Sequence, residues 1–368
     1  MKKIALLIPS LKGAGAEKIV FNLANFFSQK GYDVDLIVLR EIGQYLDNVS
    51  SKVRIINLNS NRALLGLIPL IRYLKKNNPY TLISSLSHLN IISIIAKLII
   101  YRSNTKVIVV EHNDLRDNIK KKFNFKKKIV KLLMSFTYKK AHKVIAVSNG
   151  VFEYILSFIN LDKSKIKVIY NPIFDQSIIT KMREQVDEQW LKDENIPLIL
   201  GVGRLTEQKN FKLLIRAFAK VRQKIDARLI IIGEGHLKND LISLAKSLNL
   251  QGHFSLPGFE KNPYKFMANS SLVVLSSNYE GFGNVLVEAM ACGTQVISTD
   301  CNSGPSEILE NGLWGKLVTV NNVSELANAI IDSLEKKKYL NVLKRAKDFS
   351  IDLKGKEYID VIFQNEIK

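Results

Sequence analysis

Cysteine is nearly missing: Cys292 and Cys301 are the only two in 368 residues. Two thiols cannot build a disulfide framework, and no companion Cys or His stands at the spacing of a zinc site, so a reducing, cytosolic setting fits best. Glycine and proline are sparse, at 19 and 8 residues, which excludes collagenous and low-complexity chains. Long apolar runs are absent as well. The longest, Leu89 to Tyr101, is broken by Ser93 and Lys97 and falls short of the ~20 residues that span a bilayer. Met1-Lys2-Lys3 followed by Ile4 to Ile8 has the outline of a signal peptide, but Pro9 and Lys12 cut the run short, so it reads as a buried first strand. Acidic residues are scarce in one half only: residues 1–170 hold 29 Lys and Arg against 10 Asp and Glu, whereas residues 171–368 hold 25 against 24. A basic half of this kind faces a polyanion, either nucleic acid or an anionic membrane surface.

What is present is an apolar fraction of 46%, enough for two globular domains in a chain of this length. Strand-length apolar runs alternate with helix-length amphipathic segments, the pattern of parallel sheets covered by helices. The strands predicted in the first half are Lys3 to Ile8, Val34 to Leu39, Val53 to Asn57, Thr81 to Ser84, Lys106 to Val110, Val144 to Val147 and Ile166 to Ile169. Helices fit between them, as at Ala16 to Ser28 and Leu64 to Lys76. A polar stretch, residues 171–197, reads as an interdomain connection. The alternation restarts with Leu198 to Val202, Arg228 to Ile232, His253 to Leu256, Leu272 to Leu275, Gln295 to Ser298 and Lys316 to Val318. The domains are therefore residues 1–170, basic, and 198–350, with residues 351–368 a terminal helix that crosses back to the first.

Three segments carry chemistry. The first strand runs into Pro9-Ser10-Leu11-Lys12-Gly13-Ala14-Gly15-Ala16-Glu17, a turn whose amides can approach an anion. A dinucleotide fingerprint needs a third glycine where Lys18 stands, which argues against an NAD site. In the second domain Gly201-Val202-Gly203-Arg204-Leu205 ends a strand, and Arg204 and Lys209 flank the turn, a fork and a point charge for phosphate. The third segment is Asn278 to Gly293. Here glycines follow a strand, Asn284 is predicted to cap a short helix, and Gly293 ends it. Glu280 and Glu288, eight residues apart, suit the vicinal diols of a nucleotide-sugar. A metal would need further ligands, and none is evident. A glycosidase pair is possible in principle, but the cationic cluster argues against it.

These residues resemble the retaining glycosyltransferases of family 4. The resemblance rests on Glu280-x7-Glu288 within EGFGNVLVEAMACGTQVISTD, on GVGRLTEQKNF, on Gly233-Glu234-Gly235 and on Leu256-Pro257-Gly258-Phe259, in the family's order. Glu111-His112-Asn113, Val147-Ser148-Asn149-Gly150 and Tyr170-Asn171-Pro172 add looser support. Where many relatives have Gly-Gly-Ala-Glu, this chain has Ala14-Gly15-Ala16-Glu17, with a glycine earlier at Gly13. The resemblance implies an α/β, GT-B architecture, two Rossmann-like domains facing each other across a cleft. It implies catalytic roles for His112, Glu280, Arg204 and Lys209. Donor binding falls to Gly15, Arg204, Lys209, Glu280, Gly281, Phe282, Gly283, Asn284, Val285 and Glu288, without a metal or cofactor. The implied reaction moves an N-acetylhexosamine or hexose from a UDP-sugar or other nucleotide-sugar to a polyprenyl-diphosphate-linked glycan in O-antigen or capsule synthesis. A nucleotide-sugar epimerase and a non-catalytic, membrane-associated nucleotide-sugar binder stay open as alternatives.

The excess cations concentrate in Lys120, Lys121, Lys122, Lys126, Lys127 and Lys128, with Phe123 and Phe125 between them. An apolar stripe of Ile129, Leu132, Leu133 and Phe136 follows at helical spacing. Either that stripe packs on the sheet and the lysines are merely solvated, or Lys120 to Lys131 with Phe123 and Phe125 lie on anionic lipid. The second reading places the protein in the cytoplasm, peripheral on the inner face of the cytoplasmic membrane. Nucleic acid is not expected as a partner, since no binding module accompanies the charge.

Overall fold

A computed structural model describes residues 2–100, 103–112, 125–186, 190, 193, 195–336 and 340–364, with the backbone alone at 125–127. The chain divides into two compact units, Met1–Ile173 with Ile351–Lys368, and Phe174–Ser350.

The first unit is built on a wholly parallel sheet of seven strands: Lys3–Ile8 (β1), Asp33–Val38 (β2), Val53–Asn57 (β3), Thr81–Ser85 (β4), Lys106–Glu111 (β5), Lys143–Ala146 (β6) and Ile166–Val168 (β7). Their order is β3-β2-β1-β4-β5-β6-β7. Helices cover both faces of such a sheet, so its strands read as unbroken aliphatic runs. Ile4 to Ile8 are fully enclosed, making the amino-terminal run an interior strand. The second unit repeats the plan with six parallel strands, Leu198–Val202 (β8), Arg228–Ile232 (β9), Phe254–Gly258 (β10), Leu272–Leu275 (β11), Val296–Thr299 (β12) and Lys316–Val318 (β13). Their order is β10-β9-β8-β11-β12-β13.

Each sheet reverses its winding once, between β1 and β4 in the first unit and between β8 and β11 in the second. Open α/β sheets bind ligands beyond the carboxyl ends of the strands at that reversal. The loops after β1, β8 and β11 hold the three segments picked out in the sequence.

Differences from the sequence reading are local. The first helix starts one residue early, at Gly15–Gln29, and the predicted Leu64 to Lys76 helix splits into a 3-10 turn, Leu64–Gly66, and a helix, Leu67–Asn77. From Phe174 onward the polar stretch is part of the second unit: the Phe174 amide donates to Phe349 O at 3.0 Å, and Asp175 caps the helix Gln176–Lys181. The final helix, Ile351–Phe363, lies in the first unit against the helix Gly15–Gln29. A Cβ at Gly355 would stand 2.4 Å from the Phe26 ring, which explains a glycine in mid-helix. Phe363 stacks on both Tyr32 and Tyr80.

The helix Phe125–Thr137 packs through Met134, fully enclosed, and Thr137, one helical turn on. Its apolar stripe points the other way, with Ile129, Leu132, Leu133 and Phe136 at 40, 56, 39 and 68% exposure. The sheet-packed alternative is thereby corrected, because the helix already buries a different face. Among the described residues no helix is long and apolar enough to cross a membrane.

Candidate active site

In the second unit the loop after β8 leads to the helix Phe211–Val221, and the loop after β11 leads to the helix Asn284–Ala291. Hydrogen bonds stitch the two loops together. The Asn278 amide donates to Gln208 O at 2.8 Å and its Nδ2 to Glu207 O at 2.7 Å. Gln208 Nε2 reaches Tyr279 O at 3.1 Å, and Ser276 Oγ reaches Lys209 O at 2.9 Å. Asn210 Nδ2 donates to Asn278 Oδ1 at 3.0 Å. The sequence motifs contain Glu207, Gln208, Asn210, Asn278 and Tyr279, but their bonding to one another was not read from them, its only signal being an excess of Asn, Gln and Ser beside the charged residues.

The stitching sets Lys209 against Glu280, Nζ to Oε1 at 2.5 Å, with side chains 14% and 9% exposed. Ser277 Oγ donates to the same oxygen at 2.6 Å. Both bonds to Glu280 use Oε1, and among the described residues no hydrogen bond goes to Oε2. Arg204 is exposed, its side chain touching Gln208 Oε1 at 3.4 Å. Thr206 Oγ1, in the same loop, is enclosed and has no hydrogen-bond partner. The buried Cys301 thiol is pushed far up by burial and then by the negative charge of Glu280, so it stays protonated.

The helix after β11 begins differently from the sequence prediction. Gly283, at φ 104°, occupies the cap position, and Asn284 is the first helical residue rather than the cap. A left-handed φ suits glycine there, and the first-turn amides of Asn284 and Val285 face the loop end, where they favour an anion. Glu288 lies one turn further on and is 8% exposed. Between Gly281 and Gly283, the buried Phe282 packs edge-on against Phe349 at 5.5 Å. Gly304, unremarked in the sequence, lies directly against Phe282: a Cβ there would be 1.8 Å from Phe282 O.

In the first unit the glycine-rich turn is closed by its own helix. Glu17 Oε2 accepts from the Gly13 and Ala14 amides at 2.8 and 3.0 Å, and Oε1 accepts from Ser10 Oγ at 2.6 Å. Those two amides are therefore not open to an anion, which narrows the sequence expectation to Gly15 and the helix that it opens. His112 directly follows β5. Its Nε2 is shut off from solvent without a hydrogen-bond partner, and burial pushes its pKa down to about 4, so the imidazole is neutral at pH 7. An enclosed, unpartnered nitrogen is rare in a folded protein and calls for a reason such as a ligand. Gly15 and His112 thus belong to the first unit, and Arg204, Lys209, Glu280 and Glu288 to the second. Of the basic segment, Lys120, Lys121, Lys122 and Phe123 and the side chains of Phe125, Lys126 and Lys127 lie outside the described residues, while Lys128 is exposed.

A family profile described as "Glycosyl transferases group 1" matches residues 182–348, and one described as "Glycosyltransferase Family 4" matches residues 13–176. The N-acetylgalactosamine-N,N'-diacetylbacillosaminyl-diphospho-undecaprenol 4-alpha-N-acetylgalactosaminyltransferase of Campylobacter jejuni is 33% identical over 360 residues, covering 95% of this chain and 96% of that protein. The amylovoran biosynthesis glycosyltransferase AmsD of Erwinia amylovora is 26% identical over 313 residues, 84% of each chain. Among solved structures, Anabaena HepE in complex with UDP-glucose matches with a TM-score of 0.80 at 20% identity, over 99% of this chain and 100% of that one. With two parallel Rossmann-like sheets in series and family matches across both, the chain belongs to glycosyltransferase family 4 and has the GT-B fold.

Proposed function

We propose that the protein transfers an N-acetylhexosamine or hexose from a nucleotide-sugar, a UDP-sugar in the first instance, to a polyprenyl-diphosphate-linked glycan during bacterial surface-polysaccharide assembly. The anomeric configuration is retained and no metal is used. The Lys209–Glu280 pair beside the exposed Arg204, at the winding reversal of the second sheet, carries this reading. A departing diphosphate gathers negative charge, and donors already in place stabilise it best. Arg204 supplies a planar fork, Lys209 a point charge, and the amides of Asn284 and Val285 the end of a helix. Glu280 takes sugar hydroxyls through Oε2, and Glu288 takes the ribose diol. Gly15 approaches the diphosphate, and His112, neutral, lies near the donor sugar. The Campylobacter jejuni relative supports the acceptor class and the sugar, since its name gives an N-acetylgalactosaminyl transfer to a diphospho-undecaprenol-linked substrate.

A panel of nucleotide-sugars assayed with a polyprenyl-diphosphate-linked glycan tests this. Nucleotide release must require the acceptor, and the product must keep the donor's anomeric configuration by NMR. Acceptor-independent release, or an epimerised free sugar, would instead mark an epimerase and sink the proposal.

The basic half is placed, on the same proposal, against anionic lipid at the inner face of the cytoplasmic membrane. Support comes from the outward stripe on the lysine-rich helix, because an amphipathic basic helix with its apolar side exposed suits a bilayer interface. Replacing Leu132 and Phe136 together by Ser is expected to reduce co-flotation with anionic vesicles by at least about tenfold, given the apolar area withdrawn from lipid. Recovery that ignores both the substitutions and the lipid charge would rule out this surface.

A further inference from the structure

The first unit contains a buried polar cluster that no step above uses. Glu111, the last residue of β5, is fully enclosed, and its Oε2 accepts from Ser87 Oγ and from Tyr138 OH, both at 2.9 Å. Asn90, equally enclosed, donates to the Tyr138 oxygen at 3.0 Å and to Val110 O at 2.9 Å, and its Oδ1 accepts from Ser84 Oγ at 2.8 Å. The ends of β4 and β5, the start of the helix Ser87–Ile99 and the segment after the helix Phe125–Thr137 therefore meet around one carboxylate.

A carboxylate out of water is unfavourable unless hydrogen bonds satisfy it, and the run of β5 that leads to Glu111 is Val107-Ile108-Val109-Val110. Stability alone gives no reason to keep it, since an apolar residue of similar size often serves as well as a buried polar network. Position does. Glu111 directly precedes His112, and Tyr138 directly follows the helix whose apolar stripe faces outward. In the turn from β4 to the helix Ser87–Ile99, Leu86 holds φ 80°, a conformation that leucine rarely adopts and that persists only where neighbours enforce it. Its amide donates to Val110 O at 3.3 Å, so the same strand end holds both the strained residue and the histidine.

We infer that Glu111 is a positioning residue for His112, and that its hydrogen bond from Tyr138 links His112 to the outward-facing helix. The inference rests on the glycosyltransferase reading and on the place of His112 in it. Two hydrogen bonds fix the backbone one residue before the imidazole, and the Tyr138 bond makes that position depend on how the helix sits.

The test uses Glu111→Gln and Tyr138→Phe in the full chain, assayed with nucleotide-sugar and lipid-linked acceptor in anionic vesicles. A displacement near 1 Å at a reacting group lowers rates by up to about a hundredfold. Both variants are expected to lose about tenfold or more in kcat, with the KM for donor within about twofold of wild type. Wild-type turnover is expected to rise on anionic vesicles, and Tyr138→Phe should still float with them but lose that rise. Met134→Ala, a cavity in the same helix, serves as a control for lowered Tm without loss of the network. A kcat for Glu111→Gln close to wild type, or one no lower than that of Met134→Ala at matched Tm, overturns the inference. One readout does not depend on turnover: the His112 imidazole NMR signals should shift or broaden in Glu111→Gln, and unchanged signals count equally against it. Failure of the wild type to transfer any sugar would strike the glycosyltransferase reading, while the imidazole signals would still decide the positioning role.

Discussion

Lys209→Ala is expected to lower kcat by about two to three orders of magnitude, the loss usual for one preorganised donor at an anionic transition state. The same change strips Glu280 of its cation. With the pair 14% and 9% exposed, breaking it is also expected to destabilise the fold by about 3 kcal/mol, seen as a lower Tm. Activity and stability must therefore be separated. Lys209→Met combined with Glu280→Gln removes both charges and should recover most of the Tm, because no unpaired charge remains enclosed. If the pair acts on the donor, through Lys209 on the diphosphate and Glu280 on the sugar, kcat stays low in the double variant. Recovery of turnover along with Tm would make the pair structural. Arg204→Ala offers a cleaner comparison, since Arg204 is exposed and its nearest side-chain partner is a 3.4 Å contact to Gln208. It should reduce kcat by about a hundredfold with Tm unchanged.

The fold was legible because parallel sheets bury both faces of every strand, so runs such as Ile4 to Ile8 and Leu229 to Ile232 stand out from the amphipathic helices between them. The strand edges moved by only a few residues, as at β10, where the run predicted at His253 to Leu256 is observed as Phe254–Gly258. The candidate site was legible to the extent that charged residues and glycines cluster near strand ends. What could not be read was direction. The stripe of Ile129, Leu132, Leu133 and Phe136 has helical spacing whichever way it faces, and only the packing of Met134 decides. Glu17 is a second case. A capping box normally announces itself with Ser or Thr at the cap, but Ala14 stands there, so the closure of the Gly13 turn by that carboxylate was not foreseen. Glu111 was quoted for its neighbour His112 and not for its own chemistry, since its partners Ser87 and Tyr138 lie 24 and 27 residues away.

Gly304 is the sharpest case of a residue whose importance only the folded chain reveals, and Gly304→Ala is expected to cost about a hundredfold in kcat/KM. Two effects add. At φ 91° an alanine is strained by about 1 kcal/mol or more in the left-handed region. In addition, its Cβ would stand 1.8 Å from Phe282 O and 2.4 Å from the Phe282 carbonyl carbon, where real Cβ contacts stay beyond 3.0 Å. The obstacle is backbone, so no rotamer change relieves it. Phe282 cannot retreat freely either, because it is enclosed and its ring sits against Phe349. The segment from Glu280 to Asn284 must shift by roughly 1 Å, enough to misplace both the Glu280 carboxylate and the first-turn amides of the following helix. Gly312→Ala isolates the backbone effect. It has a similar φ of 100°, but its nearest neighbour, Gly315 O, is 3.7 Å from the added Cβ. A modest drop in Tm with unchanged kcat/KM is expected for Gly312→Ala, against a loss of both in Gly304→Ala. Equal behaviour of the two variants in thermal melts and donor kinetics would show that the Phe282 contact does not shape the site.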